Sequence, residues 1–230
     1  MINILRSTAG RLMDAALPAT CVGCGAEGPP ICRVCEPALD ARIDLPGGVP
    51  IGLPGDVPEP LLQLEWCAAF RGTTRSALHA IKYQGEQRIA QPLGAAVARR
   101  WRRVGVGADL VTYVPVHDAR ARQRGFDQAE LIARVAAREL GLPFAPLLTR
   151  VRATIAQFDL DRGDRAANVE GAFVVRPATR GRAAASDLHG RWVLLVDDVV
   201  TTGATLAACG TALEAAGALG ASAITVARER

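Results

Sequence analysis

The chain has 230 residues, 50% hydrophobic and 22% charged, which suffices for one full-sized domain plus a smaller appendage and excludes a disordered or fibrous protein. Its formal net charge of +4 leans toward polyanionic partners, phosphates or nucleic acid, without choosing between them. No apolar run approaches the roughly 20 residues of a membrane span, so membrane insertion is not expected.

In chain order, MINILRSTAGRLMDAALPATC comes first, with Ile2, Leu5, Leu12, Met13 and Ala16 at the spacing of a short amphipathic helix. Arg6, Arg11 and Asp14 interrupt any apolar centre long enough for export, so a cytoplasmic location is expected. CVGCGAEGPPICRVC then sets two C-x-x-C pairs, Cys21/Cys24 and Cys32/Cys35, either side of a Gly/Pro-rich turn. Each pair presents two sulfurs on one side of a tight turn, and together they can close a tetrahedral thiolate site on Zn²⁺. Four cysteines leave no open coordination position, which makes such a zinc structural. Cys67 and Cys209 are expected to be small core residues. LPGGVPIGLPGDVPEP, residues 45–60, reads as a linker. The expected organisation is an N-terminal helix and zinc module over 1–45, a linker over 46–60 and the main domain over 61–230.

The main domain opens with helical patterning in TTRSALHAIKY and QRIAQPLGAAVARRWRRVG, and DLVTYVPV is predicted as the first strand of its sheet. After the loop HDARARQRG, FDQAELIARVAARELG predicts a helix capped by Asp127 with Glu130 and stopped at Gly141. PFAPLLTRV, GAFVVRP and RWVLLVD predict further strands, TGATLAACGTALEAAGALG a helix and ASAITVARE a closing strand. Alternating strands and helices imply an α/β fold, a mostly parallel sheet flanked by helices on both faces. Between two of the strands, the polar segment from Arg150 to Phe173 is long for a connection and reads as a functional loop.

The stretch VLLVDDVVTTGAT carries the most chemistry. Ligands of parallel sheets bind beyond the carboxyl ends of the strands, and Asp197 and Asp198 are predicted to sit at such an end. The following residues turn into a helix, whose N-terminal amides and threonine hydroxyls suit a phosphate, and Gly203 permits close backbone approach. A ribose 5-phosphate fits both halves, hydroxyls on the carboxylates and phosphate on the amides. No G-x-x-x-x-G-K-[ST] is present, and GVGADL precedes a strand instead of following one, so neither nucleotide motif applies. ARRWRRVG has two readings: a surface that tracks single-stranded DNA, or an amphipathic helix with Trp101 buried and its arginines solvated.

These residues resemble a known family. VLLVDDVVTTGAT resembles the phosphoribosyl pyrophosphate (PRPP) loop of type I phosphoribosyltransferases. The whole chain, through CVGC, CRVC, ALHAIKYQG, PVHDARARQRGFDQAE and RVRATIAQFDLDRGDRAANVEGAF, resembles the ComF family of competence-associated proteins. The resemblance implies that Asp197 and Asp198 contact the ribose hydroxyls at the catalytic centre and, with pyrophosphate, hold Mg²⁺. It implies that Thr201, Thr202, Gly203, Ala204 and Thr205 wrap the 5-phosphate. The loop from His117 to Arg124 would face the pyrophosphate, and Gln157, Arg165 and Asn168 would belong to a lid. Lys82, the only lysine in the chain, stands where the family has a lysine, and a compact ammonium reaches a phosphate through a narrower opening than guanidinium does; it is expected to contact pyrophosphate. Asp127 replaces the family's usual asparagine, and helix capping is the role expected for it. The implied function is that of a PRPP-binding accessory factor in DNA uptake that handles single-stranded DNA. The alternatives are an active transferase with an unidentified acceptor and a non-catalytic nucleotide sensor. Oligomeric state is not legible from the sequence.

Overall fold

A computed structural model describes residues 20–47, 57–116, 125–151, 171–177 and 188–229. Among these, four parallel strands form the main sheet in the order β1 (Leu61–Ala69), β6 (Gly220–Arg228), β5 (Trp192–Val200), β2 (Leu110–Tyr113). The two inner strands, WVLLVDDVV and GASAITVAR, read as nearly continuous apolar or small-residue runs because both their faces are covered. Side chains alternate across them. Leu194, Val196, Ile224 and Val226 share one core with α1 (Gly72–His79), α2 (Ala90–Val104) and α3 (Gln128–Leu140). Val193, Leu195, Ala221 and Ala223 share the other with Leu206, Cys209 and Leu213 of α4 (Ala204–Ala215). The expected parallel sheet with helices on both faces is thus present. Beyond β2 the sheet is continued by a single parallel bridge, Val111 to Phe144.

Two elements differ from expectation. The first strand of the sheet is β1, a segment that hydrophobic period alone leaves unassigned. Its Gln63 and Glu65 put polar groups on a face that should be apolar, yet both are buried. PFAPLLTRV and GAFVVRP contribute only short strands, β3 (Leu148–Arg150) and β4 (Phe173–Val175), which pair antiparallel with each other outside the main sheet and cover α4's side of it. Asp127 caps α3 as predicted, accepting from the N–H of Ala129 and Glu130 at 2.9 and 3.4 Å, whereas the Glu130 carboxylate expected to share the cap pairs with Arg134 at 2.7 Å. At its other end Gly141 is left-handed and Leu142 N–H donates to Ala137 O at 3.0 Å, a Schellman closure. The N-terminal helix expected before Thr20 lies outside the described residues.

The cysteine-bearing segment docks on the α1/α2 face. Leu39, on a 3₁₀ turn at Glu36–Asp40, is fully buried, and with Ile31 it joins the core of the main sheet. Arg99 grips both oxygens of Asp40, at 2.7 and 3.1 Å. Arg100, 1% exposed, reaches the carbonyls of Arg42, Leu45 and Pro46 and pairs with Glu65 at 2.8 Å. Trp101 is buried and Arg102 donates to the Glu139 carbonyl. ARRWRRVG is therefore the buttress of this segment: its tryptophan cannot stack a base, and Arg100 is not solvated but sealed in the interior.

Candidate functional site

A cavity of about 510 Å³ opens at the carboxyl ends of all four strands of the main sheet. Phe70 follows β1 into it, Val114–Val116 follow β2, Asp197–Val200 belong to β5 and Glu229 follows β6. Strand β5 does not stop at the aspartates, as sequence suggested, but runs on to Val200 beside β6. Its other neighbour, β2, ends at Tyr113 opposite Val196, so β5 outruns β2 and bares Asp197 and Asp198 in the resulting notch.

From the opposite wall α1 continues into a π-helical turn, Ala80–Gln84, closed by left-handed Gly85. Ala80 and Ile81 are buried and fix this turn, which delivers Lys82 to the notch. The Lys82 Nζ lies 2.7 Å from Asp198 Oδ2, and Gln128 Nε2 donates to the same oxygen at 3.0 Å. Asp197 Oδ1 accepts from the Asp198 backbone N–H at 2.7 Å. Burial, followed by the adjacent Asp198 charge, pushes the Asp197 carboxyl well above the usual carboxylate range. Burial works against the Lys82 ammonium, but the charge of Asp198 and the hydrogen bond to it prevail and raise its pKa above the ordinary value.

Thr201, Thr202, Gly203, Ala204 and Thr205 line the same cavity at the start of α4. Gly203 sits at the helix N-cap with φ +85°, and a Cβ there would lie 2.7 Å from Pro58 Cγ, so both conformation and space require glycine. Gly203 itself offers no capping side chain, and only the Ala204 N–H is met by a side chain, Thr202 Oγ1, through a long 3.4 Å hydrogen bond; the positive end of the α4 dipole thus stands at the cavity wall. Arg124, His117, Gln157, Arg165 and Asn168 lie outside the described residues. Sequence reasoning did not single out Gln128, Arg75, His79 or Tyr83, which also line the cavity. Gln128 lies within PVHDARARQRGFDQAE and His79 and Tyr83 within ALHAIKYQG, stretches that carry the family resemblance; Arg75 belongs to neither.

Magnesium has a poor fit to the aspartates. It demands near-octahedral oxygen ligands at about 2.0–2.1 Å, whereas Asp198 Oδ2 already holds an ammonium and an amide. The residues as arranged do not suit a resident Mg²⁺ shared by both carboxylates.

Asp127 stands behind this wall, its Oδ2 accepting from Val116 N–H at 2.9 Å. Burial outweighs its three backbone hydrogen bonds and pushes its carboxyl from 3.8 up to about 6. The folded chain thus keeps this proton to a higher pH than the unfolded chain, so the group's contribution to stability is full below pH 3.8 and is lost as pH rises toward 6. Asp127→Asn abolishes that titration. Measured by urea unfolding at pH 4 and pH 7, the stability of the variant relative to the parent should improve by about 2–3 kcal/mol between the two. A constant difference would refute the assignment.

The sulfurs of Cys21, Cys24, Cys32 and Cys35 all lie within 4.8 Å of one another. Cys24 and Cys32 are 3.7 Å apart, far beyond a disulfide's roughly 2.05 Å and close to the ~3.8 Å edge of a tetrahedron with Zn–S bonds of about 2.3 Å. Gly23 is needed at the first knuckle, since a Cβ there would lie 2.8 Å from both Cys35 Sγ and Thr73 Oγ1. Burial disfavours the Cys21 thiolate, but the N–H groups of Cys32, Cys24 and Gly23 more than offset this and bring its pKa down to about 6. Desolvation and the three facing sulfurs push Cys35 up to about 12. Four thiolates this close need a cation, and the donor set fits Zn²⁺.

Residues 126–230 match the phosphoribosyl transferase domain family. The "DNA utilization protein YhgH" of Salmonella typhi is 31% identical over 193 residues, covering 77% of this chain and 81% of that protein. This chain belongs to the ComF family. "Competence protein F" of Haemophilus influenzae is 33% identical to it over 99 residues, covering 43% of this chain and 41% of that one. Among solved structures, the glutamine PRPP amidotransferase from B. subtilis matches 59% of this ComF-family chain and 25% of its own, with 24% identity and TM-score 0.38. Adenine phosphoribosyltransferase from Leishmania tarentolae matches 63% and 58% respectively, with 17% identity and TM-score 0.35. No helix among the described residues is long and apolar enough to cross a membrane.

Proposed function

We propose that this ComF-family protein binds PRPP in the cavity at the strand ends and acts as an accessory factor in DNA utilization, handling single-stranded DNA in the cytoplasm. One observation carries the reading: a carboxylate pair, the N-terminus of α4 and a lysine from the opposite wall meet in a single cavity. The α4 amides suit the 5-phosphate, Asp197 and Asp198 the ribose hydroxyls, and Lys82 with Arg75 the pyrophosphate end. We assign the DNA-related role from the names of the relatives, which concern DNA utilization and competence. The DNA contact is sought around the cavity mouth, where Tyr83 is 65% exposed and its ring lies 4.6 Å from that of His79, a stacking surface that ARRWRRVG lacks.

A second reading, an active transferase, uses the same groups. The Lys82 ammonium, with Arg75, would stabilise the departing pyrophosphate while positive charge develops on the ribose carbon. Calorimetric titration with PRPP tests the binding common to both readings, and a screen of acceptor bases separates them. Asp198→Asn should weaken PRPP binding by about 1.5–3 kcal/mol, the loss of a charge-assisted hydrogen bond to a ribose hydroxyl. Equal affinity of the parent and the double Asp197→Asn, Asp198→Asn variant would remove the site.

A further inference from the structure

We propose that the Lys82 ammonium takes the place of a divalent cation at the Asp197–Asp198 pair, so that this chain binds a phosphorylated ribose without Mg²⁺. The inference rests on reading the cavity as a phosphoribosyl site and adds to it how that site is neutralised.

Position is the first argument. A metal bridging protein and ligand would have to lie on the carboxylate oxygens that face the cavity, and the Lys82 Nζ is already 2.7 Å from Asp198 Oδ2. The contact is not a surface lysine caught in passing. Its side chain is 20% exposed, and it springs from a π-helical turn whose Ala80 and Ile81 are buried and whose exit is set by left-handed Gly85. Gln128 Nε2 holds the same oxygen from α3 at 3.0 Å, so the carboxylate is gripped from two elements and keeps its orientation with no ion bound.

Charge is the second. Among the described residues, Arg75, Lys82 and Arg150 line the cavity against Asp197, Asp198 and Glu229, three cations to three anions. Taken formally, the charges of these six described residues cancel before any ion enters. A dication seated on Asp198 would face an ammonium bound to the same oxygen, and the two would repel at short range.

Chemistry is the third. An ammonium carries three N–H donors and no acceptor. One donor engages Asp198, and the others suit phosphate or pyrophosphate oxygens of a ligand in the cavity that Lys82 lines. That is the bridging a metal would provide, with hydrogen bonds in place of coordination. Arginine stands at every other basic position of the chain, yet its wide planar fork does not match a single carboxylate oxygen shared with an amide.

The experiment is calorimetric titration of the full zinc-loaded chain with ribose 5-phosphate, which lacks the pyrophosphate that would carry magnesium in, once in magnesium-free buffer without chelator and once with excess Mg²⁺. The parent should bind with affinities within about threefold of each other under the two conditions. Lys82→Gln and Lys82→Ala should lose at least about tenfold in magnesium-free buffer, because the unneutralised carboxylate pair then repels the phosphate dianion, and should regain part of it with Mg²⁺, which can then reach the exposed carboxylates. Thermal melts accompany each variant, and Lys82→Gln, which keeps the side-chain volume and a donor, remains informative if the alanine variant does not fold. Parent binding that requires Mg²⁺, or Lys82→Gln binding like the parent in magnesium-free buffer, overturns the inference while the phosphoribosyl site stands. Absence of ribose 5-phosphate and PRPP binding under both conditions removes the site, and the inference with it.

Discussion

Stripping zinc from the purified protein is expected to lower its melting temperature by more than about 10 °C, as several kcal/mol of metal-linked stability would in a chain of this size. The effect should exceed that of a peripheral module because the four-cysteine knuckles lead directly into Leu39 and Ile31, which lie in the core under α1 and α2. Gly23 packs against Thr73 at the start of α1, the helix that runs on into the turn carrying Lys82. Losing the knuckles therefore loosens a wall of the ligand cavity as well as the segment itself. Metal analysis should return one Zn²⁺ per chain, and Cys32→Ser should lose it. A melt unmoved by chelator, or a disulfide among these cysteines in protein kept reduced, would contradict the assignment.

Arg100→Ala is the second large effect, about 3–5 kcal/mol of destabilisation by urea unfolding. The substitution leaves Glu65, wholly buried, without its closest guanidinium, since Arg42 is at 3.9 Å and Arg100 at 2.8 Å. It also strips a donor from the carbonyls of Arg42, Leu45 and Pro46. Arg103→Ala is the control: that side chain is 64% exposed and 4.0 Å from Asp44, and its loss should stay within about 0.5 kcal/mol. Comparable small losses at both positions would mean that the buried pair is not what fixes the segment.

What sequence could reveal and what it could not divides by the range of the interaction. The Asp127 cap, the Gly141 stop, the cysteine knuckles and the run from Asp197 to Thr205 are local patterns, each complete within a few residues, and they are legible. Strand β1 was not, because the Glu65 that spoils its apolar alternation is made tolerable by Arg100, which no local pattern links to it. For the same reason ARRWRRVG looked like a solvated or DNA-facing surface: the partners of Arg99 and Arg100 lie on the cysteine segment and β1. Lys82 was placed at the site by its rarity and its family position, but the group it meets, Asp198, emerges only from the way the sheet brings the π turn and β5 together.

The position of β6 between β1 and β5 has a bearing on how the chain is assembled in time. Leu61 finds its partner Ala221 only about 160 residues later, and β1 has no other strand beside it among the described residues. During synthesis β1 therefore waits with its backbone donors and acceptors unpaired until β6 has been made. Such non-local parallel pairing slows folding and lengthens the interval in which a bare edge can aggregate. Completion of the ligand cavity is tied to the same late event, since Phe70 and Asp198 come within one enclosure only when β6 has been inserted between their strands.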